Sequence, residues 1–192
     1  MKMVRIAAIA KVLGIASAAV VVAREGVKGM IFTAKLLKRA RTVDWDSPEF
    51  KGWFSDSKVV NPDGTPRVMY HGAALGADFE EFKHKEGFPD GGYFFTSKLR
   101  TATNYARGEE DNVLHTYLRI VKPKYYDNSE WEKWDSFYHR NRVEHEALGH
   151  DGIIVTNGDD EHVIAIVFDP TQIKSATNNR GSYCGYDPNF YK

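Results

Sequence analysis

Apolar positions follow one rhythm in the first 41 residues of this chain and another in the remainder. Ile6, Leu13, Val20, Val27 and Ala34 recur every seven residues, and Ile9, Ala16, Ala23, Met30 and Leu37 each follow by three. This spacing predicts an amphipathic helix with a seam for another helix. Gly14, Gly26 and Gly29 weaken it, each costing about 1 kcal/mol against alanine. Near Asp44 the pattern changes. Ser47-Pro48-Glu49 reads as a helix start: a cap, a proline at the first helical position, an acid in the first turn. Phe50, Trp53 and Phe54 form its apolar face. Asn61-Pro62-Asp63-Gly64 is a tight turn between Val59-Val60 and Val68-Met69-Tyr70, which predicts a hairpin or strand entry.

Further along, Phe79, Phe82 and Phe88 stand in a loop stretch expected to run over the core. Residues 99–107 read as a helix and the alternating run 113–120 as a strand. Residues 131–148, rich in aromatics and charge, read as a helix. Ile153-Ile154-Val155 and residues 163–168 read as strands joined by the turn Asn157-Gly158-Asp159-Asp160. Strands outnumber helices in this body, so the expected class is α+β. Two regions follow: residues 1–43, a basic helical leader, and residues 44–192, a globular body.

Composition sharpens that division. The chain has 192 residues, 42% of them apolar and 13% aromatic, enough for a globular core. Formal net charge is zero, but residues 1–41 carry nine basic side chains against Glu25 alone. The leader is therefore strongly basic and the body acidic. Only twelve residues, mostly apolar, run between Lys11 and Arg24, short of the roughly 20 that span a bilayer. Lys11 and the continuing helical pattern also count against a cleaved signal peptide. An amphipathic helix covering the body or another chain is the plainest reading, with membrane contact as its rival. Cys184 is the sole cysteine, which excludes an intramolecular disulfide and a cysteine metal site. His139, His145 and His150 invite a metal reading. However, His145-Glu146 has its next histidine five residues on, not four, and no metal is expected.

The most informative residues are Tyr70-His71-Gly72, then Gly92-Tyr93-Phe94-Phe95-Thr96-Ser97, then Ala102-Thr103-Asn104-Tyr105, and late in the chain Ala165-Ile166-Val167-Phe168-Asp169. This order resembles the core of the ADP-ribosyltransferases, in the branch of diphtheria toxin and the poly-ADP-ribose polymerases. That branch carries His-Gly on its first core strand, Gly-x-Tyr-Phe on a second, a helix with a tyrosine eleven residues on, and a late strand. The runs Phe50-Lys51-Gly52-Trp53-Phe54 and Gln172-Ile173-Lys174-Ser175, with Asn178-Asn179, resemble more closely the ADP-ribosyltransferase domains of phage and mobile-element polyproteins.

The resemblance implies a split β-sheet core with peripheral helices and NAD as substrate. It implies a histidine that holds the adenosine ribose, a glycine backbone that pairs with the nicotinamide carboxamide, and two aromatics that sandwich the ring. By position these roles fall on His71, Gly72, Phe94 and Tyr105, with Tyr70, Tyr93 and Thr101 as neighbouring binding candidates. Tyr93 and Phe94, being adjacent on a strand, face opposite sides and cannot both stack on the ring. The family's carboxamide-contacting serine aligns with Ala102. Its acid aligns with Ile164, leaving Glu161 as the nearby carboxylate and His71, Phe94 and Glu161 as the catalytic set. An apolar residue 164 argues against chain elongation and for mono-ADP-ribosyl transfer.

The expected protein is thus a toxin-like or phage-derived mono-ADP-ribosyltransferase acting on a protein or nucleic-acid acceptor. It would work in the cytoplasm of the producing or target cell, with secretion, injection or membrane association open. Two alternatives are a module that binds NAD or ADP-ribose without chemistry, and a membrane- or partner-binding protein that acts through residues 1–41.

Overall fold

The computed structural model describes residues 43–83, 91–127, 142–156 and 162–192. The predicted leader helix, Phe88, His139, Glu161 and the turn at 157–160 lie outside the described residues.

Helix α1 spans Pro48–Phe54, and its start is as expected: the Ser47 side chain accepts from the Phe50 amide, with proline in the first turn. Phe50, Trp53 and Phe54 are buried against Tyr117 and Tyr183. Four strands and a second helix then build the region that matters: β1 (Met69–Gly72), β2 (Tyr93–Thr96), α2 (Leu99–Tyr105), β3 (Val113–Leu118) and β4 (Pro123–Asp127). Helix α2 stops earlier than its apolar pattern because Arg107 and Gly108 both take positive φ, which unwinds the last turn. Helix α3 (Arg142–Ala147) falls within the helix expected at 131–148, of which residues 131–141 lie outside the described residues. Strands β5 (Gly152–Thr156), β6 (Ile164–Val167) and β7 (Ile173–Ser175) complete the chain.

The seven strands form a sheet in the order β4-β5-β6-β2-β1-β3-β7. All pairings are antiparallel except β4 with β5. Two strands escape the sequence pattern, and both are edges. Strand β4 opens on a proline, tolerable where one side of the ladder faces solvent, and it is largely exposed. Strand β7 is only three residues long.

Side chains on one face, including Met69, Tyr93, Phe95, Leu114, Ala165 and Val167, form the main core with Phe82 and Phe190. The loop phenylalanines therefore cover the sheet as expected, Phe79 and Phe82 in edge-to-face contact at 5.1 Å. On the opposite face Ala102 and Ala106 of α2 pack on Val113 and Tyr70.

The seam between β1 and β2 is unlike the others. Strand β2 pairs with β6 through four residues and β1 with β3 through four, but β1 meets β2 at one pair, Tyr70 with Thr96. Beyond that pair the sheet splits into a β4-β5-β6-β2 half and a β1-β3-β7 half.

Candidate active site at the split of the sheet

The split opens where β1 reaches His71. Instead of a further backbone pair, the His71 imidazole bridges the gap, its Nδ1 lying 2.8 Å from the Phe94 carbonyl oxygen. A carbonyl can only accept, so Nδ1 carries the hydrogen and Nε2 keeps its lone pair. Nε2 has no hydrogen-bond partner among the described residues. The ring is held edge-on to Phe82 at 5.0 Å and tilted against Phe95 at 5.4 Å. Burial pushes its pKa below the ordinary imidazole value, against a smaller opposite effect of the Phe94 carbonyl. The result is a neutral histidine with one nitrogen fixed and one available as an acceptor.

Gly72 explains itself by what surrounds it. A Cβ there would overlap the Ala102 carbonyl oxygen and stand 2.8 Å from the Ala106 amide and 2.9 Å from the Tyr105 Cβ. Only glycine lets α2 lie this close to β1, and that close approach sets Tyr105 beside the end of the strand. Tyr105 is 71% exposed, an aromatic residue left open at the site. Thr101 precedes it by four positions and shares its side of the helix. Thr103 does not compete for this role, because its hydroxyl donates to the Leu99 carbonyl at 3.0 Å. Ala102, at the position of the family's serine, is buried under the helix against Val113 and Tyr70. A hydroxyl there would enter an apolar contact.

Strand alternation separates the two aromatic candidates. Tyr93 is buried in the main core with its hydroxyl donating to the Phe82 carbonyl at 3.3 Å. Phe94 faces the other way, half-buried against Ile153, Val155, Ile166 and Phe168. Tyr70 lies on the α2 side, edge-on to His115 at 4.9 Å. The structure thus brings His71, Gly72, Phe94 and Tyr105 to the split with Tyr70 beside them, and turns the Tyr93 ring away from Phe94.

Ile164 opens β6 directly opposite Thr96, so the position expected to hold an acid is apolar and packed into the sheet. Next to it stands a residue that the motif comparison passes over. His162 Nε2 lies 3.2 Å from the Thr96 hydroxyl. Its only sequence signal is that it precedes Ile164 by two, hence falls on the same side of an extended chain. No set of three or more metal-ligating side chains occurs among the described residues. His145 and the Tyr126 hydroxyl are 2.8 Å apart, and His150 Nδ1 lies 3.2 Å from the Lys122 carbonyl. No described helix is long and apolar enough to cross a membrane.

A family model described as ADP-Ribosyltransferase in polyvalent proteins matches residues 61–183. The chain belongs to this family. The matched region runs from the turn before β1 to the segment after β7, and so contains the whole sheet, the split and every residue just described. The seven-stranded α+β body is the ADP-ribosyltransferase-like split sheet expected from the motifs. Searches of the curated proteins and of the solved structures found no match.

Proposed function

We propose that this protein is a mono-ADP-ribosyltransferase that takes NAD as donor and transfers ADP-ribose to a macromolecular acceptor. The observation that carries the reading is the convergence of His71, Gly72, Phe94 and Tyr105 on the one place where the sheet splits. His71 Nε2 accepts a hydrogen bond from a ribose hydroxyl. The Gly72 backbone meets the carboxamide, and Tyr105 and Phe94 offer π faces to the nicotinamide ring.

Departure of nicotinamide leaves positive character on the ribose carbon, and binding that favours this charge speeds the step. Ile164 supplies no charge, so a carboxylate from elsewhere stabilises the ribosyl cation, and Glu161 is the candidate in sequence. Glu161→Gln then lowers turnover far more than NAD affinity. Equal turnover in this variant and the wild type would transfer that role to the substrate. The absence of an acid from position 164 favours transfer of one unit over chain elongation.

The reading is tested by incubating the protein with NAD labelled in the adenylate and a cell lysate, and measuring both free nicotinamide and label on macromolecules. Nicotinamide release with label on protein or nucleic acid is the expected result, and the labelled fraction identifies the acceptor class. A second reading, binding of NAD or ADP-ribose without turnover, draws on Ile164 and Ala102 and predicts saturable binding with no nicotinamide release. The basic leader, as a docking element for a membrane, nucleic acid or helical partner, would direct the enzyme to its target in the cytoplasm of the producing or invaded cell. A toxin-like or phage-derived effector fits this organisation.

A further inference from the structure

We propose that Phe190 is a positioning residue for NAD binding: through Phe82 it sets the direction in which His71 Nε2 points, so the C-terminal segment acts on donor affinity. The inference rests on the donor site proposed above and deepens it. It starts from what the hydrogen bond to Phe94 leaves undone. That bond fixes one atom of the His71 ring, and the second side-chain torsion of a histidine is broad. The ring plane, and with it the line of Nε2, is set by packing. Two rings do this, Phe82 edge-on at 5.0 Å and Phe95 tilted at 5.4 Å.

These two rings are anchored differently. Phe95 belongs to β2, which pairs with β6 along its whole length. Phe82 lies outside the seven strands, and its segment is tied to the C-terminal one. Glu81 forms an isolated antiparallel bridge with Asn189. The Phe190 amide donates to the Glu80 carbonyl at 3.0 Å, and the Asn189 side-chain amide donates to the Glu80 carboxylate at 2.8 Å. The Phe190 ring is fully buried and packs on Phe82 at 5.5 Å and on Phe79 at 5.7 Å. The sheet adds the Tyr93 hydroxyl, which donates to the Phe82 carbonyl at 3.3 Å.

The C-terminal segment is in turn pinned to the edge of the sheet. The Phe190 carbonyl accepts from the Ser175 amide at 2.7 Å and from the Asn179 side chain at 3.4 Å. The buried Lys174 ammonium donates to the Asp187 and Asn189 carbonyls at 2.9 and 3.2 Å. A chain of contacts thus runs from edge strand β7 through Phe190 and Phe82 to His71. Interiors are close-packed, so a void at Phe190 lets Phe82 retreat from the imidazole instead of holding it. The family match ends at residue 183, and residues 187–191 lie beyond it.

A double-mutant cycle in the full-length protein tests this. Phe190→Ala should weaken NAD binding about three- to tenfold, at most what loss of the His71 hydrogen bond costs. In the His71→Gln background the same change should alter affinity by less than about twofold, because the ring that Phe190 positions is gone. The imidazole proton resonances of His71, assigned by their absence from His71→Gln, should also move in Phe190→Ala before NAD is added, as the ring current of Phe82 on them changes. A role confined to stability would leave those resonances in place and lower affinity equally in both backgrounds. Unmoved resonances, an equal loss in both backgrounds, or no loss in either each overturn the proposal. Where Phe190→Ala does not fold, Phe190→Leu, which keeps a buried apolar side chain without the flat ring, is judged by the same two readouts. If the wild type shows no saturable NAD binding, the donor-site reading itself fails, and the resonance shift still decides whether Phe190 positions His71.

Discussion

Gln172 and His71 are both polar side chains set into the sheet, and they are treated in opposite ways. Gln172 is 7% exposed and fully satisfied. Its Oε1 accepts from the Phe168 and Asp169 amides at 2.9 and 2.8 Å, and its Nε2 donates to the Arg119 and Asp151 carbonyls at 2.8 and 2.7 Å. One amide group therefore ties the end of β6 to the chain after β3 and the chain before β5. Lys174 is similar, fully buried with its ammonium donating to the Asp187 and Asn189 carbonyls. His71, by contrast, spends one nitrogen on the Phe94 carbonyl and keeps the other for something outside the described chain. A satisfied buried polar group fixes the fold. A half-satisfied one at an opening is available for chemistry.

Gln172→Ala should break this comparison on the stability side most severely. It removes the partner of the buried Phe168 amide, of the part-buried Asp169 amide and of the Arg119 and Asp151 carbonyls, for a cost of about 2–4 kcal/mol. Urea denaturation checks the loss, and NAD affinity of the folded fraction should not change. Gly72→Ala comes next. Its methyl group pushes α2 away from β1, costing about 1–3 kcal/mol of overpacking and displacing Tyr105. Binding should fall at least tenfold in a protein that still folds, as judged by circular dichroism and NAD titration. Retained affinity in this variant would show that α2 plays no part in the site.

His71→Gln should weaken NAD binding about tenfold, the effect of one charge-free hydrogen bond near 1.4 kcal/mol. It also carries a pH signature. Burial lowers the folded-state pKa, so between that value and about 6.5 the unfolded chain binds more protons than the folded one. Stability contributed by neutral His71 is complete above pH ~6.5 and is lost as the pH falls below it. Thermal melts of wild type and variant should converge on acidification. Parallel curves would mean that His71 is not the group concerned. The smallest effect is expected from Tyr105→Ala. Its exposed ring contributes little to folding, while the lost stacking face should cost about 0.5–1.5 kcal/mol of binding, readable by calorimetry.

Local signals made much of this molecule legible in sequence. The Ser47-Pro48 start, the Phe50/Trp53/Phe54 face and the β3 strand depend on neighbours a few residues away, and all three form, although β3 ends at Leu118 and is buried on both faces rather than alternately. The order His-Gly, aromatic pair and Tyr105 locates the split for the same reason, since each motif sits within one element. Long-range information was less accessible. Strand β4 is mostly exposed and β7 very short, so neither carries a strong hydrophobic period. The role of Gln172 is invisible without knowing that residues 119, 151 and 168 meet there. His162 was missed for a related reason, because its partner Thr96 is 66 positions away and no alternation links them. Motif alignment could say that position 164 is apolar, but not that a ring two residues earlier is held beside it.

The single backbone pair between β1 and β2, at the seam of the two half-sheets, has a consequence for the protein's life in a cell. A bound donor would span a seam at which the chain supplies one backbone pair and one side-chain bond. Occupancy of the site then adds to folding stability. A ligand at a hundredfold excess over its Kd adds about 2.7 kcal/mol to the folded state. On the reading proposed above, resistance to proteolysis would follow the NAD concentration around the enzyme, and a cell emptied of NAD by the reaction would also withdraw the protection of the enzyme that emptied it.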